Sequence, residues 1–215
     1  MANPDARFGL RPVRHITGTP FNEATIGCYI SASYATALFI GDPVDLETTI
    51  GNIPTASRCL CVIRADGGGA TLADAQFITG VITSFEPDPT NLTLQYRPAS
   101  TARYCNVCVD PTVVYQIRGD GSEVPLKTFI GGNAVGVWTH SGNTMTGLSG
   151  LEIVEDASPT VNSSNPFLVL GPADIEDNEF DGAASTHVIW EVLLSTARFA
   201  GGSGSDYGML GVLPA

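Results

Sequence analysis

Turn-forming residues divide the segment from Phe77 to Gly121 so finely that only short extended elements fit between them. The segment reads FITGVITSFEPDPTNLTLQYRPASTARYCNVCVDPTVVYQIRGDG and contains four runs of apolar, β-branched or aromatic residues. Each run ends at Pro, Gly, Asn or Asp, which are the residues that form turns. Short runs of this composition are typical of strands, and four in succession predict an antiparallel meander.

The same punctuation continues along most of the chain. Strands are predicted at Ile26–Ile40 (one or two), Val44–Leu46, Arg58–Arg64, Phe77–Phe85, Leu92–Tyr96, Tyr104–Val109, Thr112–Arg118, Val135–Trp138, Leu148–Val154, Phe167–Leu170 and His187–Phe199. Helix is predicted only as one turn at Leu72–Ala75 and a short element at Leu126–Ile130. Short strands at this density predict an all-β fold, an antiparallel barrel or sandwich with at most one or two short helices.

The first 25 residues differ from this pattern, because Pro4, Pro12 and Pro20 fix φ repeatedly and remove backbone donors. An extended proline-rich N-terminal arm is therefore predicted for residues 1–25, followed by a β-rich body at 26–200. The glycine-rich end, residues 201–215, is predicted to be a flexible tail.

Charge is distributed unevenly between these parts. The chain carries a formal net charge of −12 and a single lysine, Lys127, whereas the first 15 residues hold three arginines against one aspartate. Nucleic-acid binding needs clustered Lys and Arg to neutralise phosphates, so an acidic body of this kind argues against a nucleic-acid partner. A basic arm on an acidic body suggests docking on an acidic surface, although a merely solvated arm has the same composition.

Apolar and basic side chains recur along the arm at spacings that suit anchors. The candidate contact residues are Arg7, Phe8, Leu10, Arg11, Val13 and Arg14. They could lie in a groove on a neighbouring protein or wrap the chain's own barrel, and the pattern does not separate these alternatives.

Five cysteines include a C-x-C at Cys59 and Cys61 and a C-x-x-C at Cys105 and Cys108, four thiols that could in principle bind zinc. The second pair falls on a predicted strand, where positions three apart face opposite sides and would be separated. Buried free thiols are therefore the favoured interpretation, and no metal site is predicted.

The acidic run at residues 174–182 resembles the start of a calcium loop, but its twelfth position is Val188 where a bidentate glutamate is needed. The three histidines, His15, His140 and His187, lie far apart, and none of the common catalytic or cofactor-binding motifs occurs. A non-enzymatic chain without a cofactor is expected. No apolar run approaches the roughly 20 residues of a membrane span, and no secretory signal is recognisable, so synthesis in a cytoplasm is expected.

Three stretches are similar to the head decoration (cement) proteins of tailed bacteriophages. They are NPDARFGLRPVRH at residues 3–15, FEPDPTNLTLQYRPASTARYCNVCVDP at 85–111 and FLVLGPADIEDNE at 167–179. The resemblance implies a β-rich subunit on the capsid exterior that binds the major capsid protein and staples neighbouring subunits, acting as a trimer or dimer. The alternative is another virion module, a tail or fibre component that engages a host surface or glycan.

Overall fold

The structure is a computed structural model that describes residues 3–48, 59–65, 69–72, 77–125, 127–155, 165–180 and 185–199. Within these ranges the regular elements are strands, together with one 3₁₀ helix at Lys127–Phe129. The strands are β1 Arg11–His15, β2 Ile26–Ile30, β3 Pro43–Leu46, β4 Leu60–Arg64, β5 Thr71–Leu72, β6 Gly80–Phe85, β7 Arg103–Cys108, β8 Val113–Arg118, β9 Asn133–Ala134, β10 Gly136–Val137, β11 Glu152–Ile153, β12 Phe167–Pro172 and β13 Ile189–Leu194. The all-β prediction is confirmed.

The strands form a barrel and two open sheets. The closed barrel has the order β2-β4-β3-β6-β7, and its pairs are antiparallel except β2 with β4. A five-stranded sheet has the order β1-β8-β13-β12-β9, and a small sheet has the order β11-β10-β5. The predicted barrel is therefore present, together with two open sheets, and its parallel β2–β4 pair departs from the antiparallel prediction.

Two hydrophobic cores correspond to these parts. The larger core is built from inward side chains of the five-stranded sheet, with Trp190 and Tyr115 at its centre, and it also takes side chains from β6 and the small sheet. The smaller core fills the barrel. Every residue of β8 is buried, because one face lies on the larger core and the other is covered by the N-terminal residues of the chain.

The predicted four-strand meander is wrong in two respects. β7 and β8 follow each other closely in the chain but belong to different sheets, with β7 in the barrel and β8 in the five-stranded sheet. The predicted strand at Leu92–Tyr96 is an irregular loop, in which Leu92 is 79% exposed. Arg103 holds this loop by donating hydrogen bonds to the carbonyls of Leu94, Tyr96 and Glu86, so these carbonyls are satisfied without a strand partner.

Two further predictions concern local structure. Leu72, the first residue of the predicted helical turn at Leu72–Ala75, lies in β5, where it pairs with Gly136 and is fully buried. The rest of that predicted turn lies outside the described residues. The short helix predicted at Leu126–Ile130 is confirmed as the 3₁₀ helix Lys127–Phe129. The predicted tail at 201–215 lies outside the described residues. No helix in the described part of the chain is long and apolar enough to cross a membrane.

Candidate functional site

The N-terminal segment, defined here as residues 3–25, lies along the chain's own body. Asn3 is anchored by three hydrogen bonds, since its Nδ2 donates to the carbonyls of Glu179 and Thr186 and its Oδ1 accepts from the amide of Glu179. Further along, β1 pairs antiparallel with β8 at the edge of the five-stranded sheet. Within the described residues this segment lies on the chain's own five-stranded sheet, and contact with a neighbouring protein stays a prediction.

Two glycines allow the close approach of this segment to the body. Gly9 has φ +70° and Gly41 has φ +91°, in the left-handed region that favours glycine. A Cβ on Gly9 would lie 2.8 Å from the carbonyl oxygen of Gly41, and a Cβ on Gly41 would lie 2.7 Å from that of Phe8. The amide of Leu10 donates to the Gly41 carbonyl at 2.9 Å, which fixes the contact.

Most of the six predicted contact residues are engaged within the chain. Leu10 is 2% exposed and belongs to the larger core. Arg7 lies 2.9 Å from the carboxylate of Asp5 and 3.0 Å from that of Glu152, and Arg14 forms an ion pair with Glu191 at 2.6 Å.

The remaining three of the six are less enclosed. Arg11 is exposed, donates to Gln116 Oε1 at 2.6 Å and lies over the ring of Phe8, 4.7 Å from its centroid. Phe8 and Val13 are partly exposed.

A groove of about 580 Å³ runs between the N-terminal segment and the barrel. One wall is formed by Phe8, Leu10, Arg11, Pro12, Phe21, Glu23 and Thr25. The other wall is formed by Ile40, Ile82, Thr83, Ser84, Asn106 and Leu148. The groove therefore joins an apolar floor to hydroxyl and amide groups of β6 and β7 and to opposite charges at Arg11 and Glu23. This combination of an apolar surface with a few polar groups is typical of binding sites.

A buried carboxylate supports the floor of the groove. Asp42 is 1% exposed and accepts hydrogen bonds from Ser149 Oγ at 2.5 Å, Trp138 Nε1 at 3.1 Å and the amide of Phe39 at 2.8 Å. Burial raises the pKa of Asp42, although its three hydrogen bonds oppose this. Because Ile40 and Leu148 follow Phe39 and precede Ser149 along the chain, this network fixes both groove residues.

A polar cluster joins the start of the N-terminal segment to the body. Glu152, on β11 and 1% exposed, receives a hydrogen bond from Thr139 Oγ1 at 2.6 Å and contacts Arg7. His187 Nδ1 lies 3.9 Å from Asp5 Oδ1, and His140 Nδ1 lies 3.7 Å from Glu152 Oε2. Sequence analysis missed Glu152 and Asp42, because a single acidic residue next to apolar neighbours gives no pattern that separates a buried carboxylate from an exposed one.

The cysteines of the C-x-x-C pair face different cores, as predicted. Cys105 lies in the barrel core, directly opposite Cys28 of β2, and burial raises the pKa of both thiols, that of Cys28 to about 12. Cys108 lies in the larger core, where it accepts a hydrogen bond from Tyr115 Oη at 3.2 Å. Among the described residues, the cysteines do not form a group of three with the spacing of metal ligands.

The acidic run at 174–182 begins with a surface turn that is held by hydrogen bonds of the Asn178 side chain. Asn178 donates to the carbonyls of Ala173 and Ile189 and accepts from the amide of Ile189. This asparagine therefore serves the backbone of the turn instead of facing solvent as an oxygen ligand.

Comparison with protein-family models, with curated proteins and with solved structures gives no match.

Proposed function

We propose that this chain is a structural virion protein that binds the outer surface of a phage capsid and staples neighbouring copies of the major capsid protein. The proposal rests on one observation, which combines the resemblance of the sequence with the position of the groove. The first of the three stretches that resemble head decoration proteins, residues 3–15, supplies a wall of the groove through Phe8, Leu10, Arg11 and Pro12. The groove is the surface assigned to the capsid partner.

The chemistry of the groove suits an extended peptide segment. Apolar side chains of such a segment would pack on Phe21, Ile40 and Ile82, while a carboxylate would pair with Arg11 at the rim. One groove of this size gives modest affinity, and binding in many copies on a repeating lattice compensates for it. The acidic chain, with a net charge of −12, is repelled by nucleic acid and suits the outside of a DNA-filled shell.

The proposal uses only two of the six predicted residues for direct contact with the capsid protein. Leu10 is in the core, and Arg7 and Arg14 hold the N-terminal segment to the body, so these three position the groove wall. Phe8 and Arg11 are the two of the original six that line the groove and keep exposed surface. They are the residues assigned to direct contact with the capsid protein.

Co-sedimentation with purified, expanded phage heads that lack this protein tests the proposal. Deleting residues 1–20 is a poor test, because it removes Leu10 from the core and β1 from the sheet. Arg11→Glu reverses the charge at the rim while leaving both in place, and Lys127→Glu, on the exposed 3₁₀ helix, is the matched control.

We expect saturating binding in large copy number for the natural chain and for Lys127→Glu, and weak binding for Arg11→Glu. Binding of only a few copies per particle would contradict the cement function and favour a tail or fibre component. Unchanged binding of Arg11→Glu would show that the groove is not the contact. Sedimentation of the free protein measures whether it is the trimer or dimer that the resemblance implies.

A further inference from the structure

Three ligand-type side chains from distant parts of the chain converge beside the N-terminal segment. Asp5 comes from that segment, Glu152 from β11 and His187 from the residues just before β13. One ligand atom of each lies within 4.8 Å of the ligand atoms of the other two. The three residues are 46%, 1% and 24% exposed at their side chains, so the group lies at the boundary between interior and solvent.

The buried member of the group has an oxygen without a partner. Glu152 Oε2 accepts from Thr139 Oγ1 and lies 3.0 Å from Arg7 Nε, whereas Glu152 Oε1 is buried and receives no hydrogen bond from the described residues. A buried carboxylate oxygen normally has a donor, water or metal against it. This oxygen is therefore a place where a positively charged ligand would relieve a cost of folding.

The backbone around His187 holds its ring in one position. His187 has φ +54°, its amide donates to Glu155 Oε2 at 2.9 Å, and its ring lies where a Cβ on Gly121 would be 2.4 Å from Cε1. Its Nδ1 lies 3.9 Å from Asp5 Oδ1 and 3.2 Å from the carbonyl oxygen of Gly119.

Arg7 lies within ion-pair distance of one oxygen of each carboxylate, although its Nε makes no hydrogen bond within the described residues. Its guanidinium contacts Asp5 Oδ2 at 2.9 Å and Glu152 Oε2 at 3.0 Å, so Asp5 Oδ1 and Glu152 Oε1 remain. Glu155 and Arg118 also border the cluster, since the amide of His187 donates to Glu155 Oε2 and Arg118 donates to the carbonyl of His187.

We propose that Asp5 Oδ1, Glu152 Oε1 and one ring nitrogen of His187 form a binding site for a divalent cation of the Mn²⁺ class. Two carboxylate oxygens and an imidazole nitrogen are a donor set that such cations accept, with solvent completing the coordination. Ligand atoms around a bound ion of this size lie about 3 Å apart, so the group contracts on binding. The exposed side chain of Asp5 is the member with room to move. The bound ion would fasten residue 5 to β11 and to the segment before β13.

Mn²⁺ binding to the full-length protein, freed of metal by a chelator and dialysed, tests the site. Mn²⁺ is the probe because thiolates select softer metals, so the five cysteines of this chain would compete less for Mn²⁺ than for a softer cation. The electron paramagnetic resonance signal of free Mn²⁺ measures the bound fraction. Thermal unfolding with and without Mn²⁺ supplies a second readout, since a ligand of the folded state raises Tm.

The variants are Asp5→Asn, Glu152→Gln and His187→Asn, in which asparagine tolerates the positive φ of position 187. Asp174→Asn, in the exposed acidic run, is the matched control. We expect one Mn²⁺ per chain, a rise in Tm, and at least roughly tenfold weaker binding in each of the three variants but not in the control.

Absence of Mn²⁺ binding by the natural chain at millimolar concentration would overturn the proposal. Binding that survives Asp5→Asn and His187→Asn, or that is lost in Asp174→Asn, would also overturn it. Asp5 is the most exposed of the three side chains, so Asp5→Asn keeps the test decisive if Glu152→Gln does not fold.

Discussion

Glu155 and Trp190 meet inside the larger core, where Glu155 Oε1 accepts a hydrogen bond from the indole Nε1 of Trp190 at 3.1 Å. Both side chains are fully buried. The carboxylate accepts three further hydrogen bonds, from the amides of Gly121, His187 and Val188. One side chain therefore satisfies four donors and ties the loop after β8 to the entry of β13, the central strand of the five-stranded sheet.

Replacement of this carboxylate by an amide removes acceptors from that interior. In Glu155→Gln an NH₂ group would face two N–H donors, each of which costs about 1–3 kcal/mol when left without an acceptor. We expect the free energy of unfolding to fall by about 3 kcal/mol, measured by urea denaturation at neutral pH. Glu176→Gln, in an exposed turn, is the control and should change it by about 0.5 kcal/mol or less. Equal effects of the two substitutions would contradict the assigned role of Glu155.

Comparison of the natural chain with Glu155→Gln also gives a pH-dependent prediction. Burial raises the pKa of Glu155, against the four hydrogen bonds that lower it. The folded chain then holds this proton more tightly than the unfolded chain, so the contribution of Glu155 to stability falls as pH rises from about 4.5 through the raised pKa. We expect the difference in unfolding free energy between the natural chain and Glu155→Gln to shrink over that window. A difference that grows with pH would show that the pKa is lowered instead.

Arg97 supports a third prediction, on the barrel side of the molecule. Its side chain is fully buried and donates to the carbonyls of Thr101, Thr36, Ser31 and Tyr34 at 2.6–2.7 Å. Burial lowers its pKa to about 10, which leaves it charged at neutral pH. Lysine has three donors on a single nitrogen and cannot reach four carbonyls spread around a planar guanidinium.

We expect Arg97→Lys to lower the free energy of unfolding by about 2–4 kcal/mol, since hydrogen bonds of a charged group contribute about 1.5–3 kcal/mol each. Arg11→Lys, at an exposed position, should change it by about 0.5 kcal/mol. Denaturant unfolding of the two variants in parallel measures the contrast. A mild effect at position 97 would mean that the loop closes without its arginine.

Arg103 shows why the sequence predicts some strands correctly and one strand wrongly. Alternating runs such as Tyr104–Val109 and Thr112–Arg118 carry their own signal, because a strand with a buried face must show period two. The run at Leu92–Tyr96 shows the same period and is nevertheless a loop. The guanidinium of Arg103 satisfies the carbonyls of Leu94 and Tyr96 in this run, a contact that no local pattern encodes.

The candidate site was less predictable for a related reason. Local residues mark Phe8 and Arg11 as exposed anchors, but the groove exists only because Ile40, Ile82 and Leu148 arrive from the body. Sheet membership is likewise a long-range property: the short turn between β7 and β8 resembles a hairpin connection, yet the chain there passes from the barrel to the five-stranded sheet.

Leu10 provides a direct test of whether the N-terminal segment belongs to the body. Its side chain is 2% exposed in the larger core, so Leu10→Ala leaves a cavity there. We expect a loss of about 2–5 kcal/mol in the free energy of unfolding. Ile16→Ala, in the same segment but at a residue 47% exposed, should cost less than about 1 kcal/mol. Similar small losses in both variants would mean that the segment does not pack on the body in solution.

Three buried thiols, that of Cys28 and those of the C-x-x-C pair, give the last prediction. Cys28, Cys105 and Cys108 are at most 1% exposed, and burial raises the pKa of each. With a pKa of about 12, only about one Cys28 thiol in 10⁴ is ionised at pH 8, and the thiolate is the form that alkylating reagents attack. We expect iodoacetamide to leave these three cysteines unmodified in the folded protein and to modify them fully in urea, as read by mass spectrometry of the digested chain. Labelling of Cys105 in the folded protein at the rate found in urea would show that the barrel opens readily and that its thiols are available to metals or oxidants.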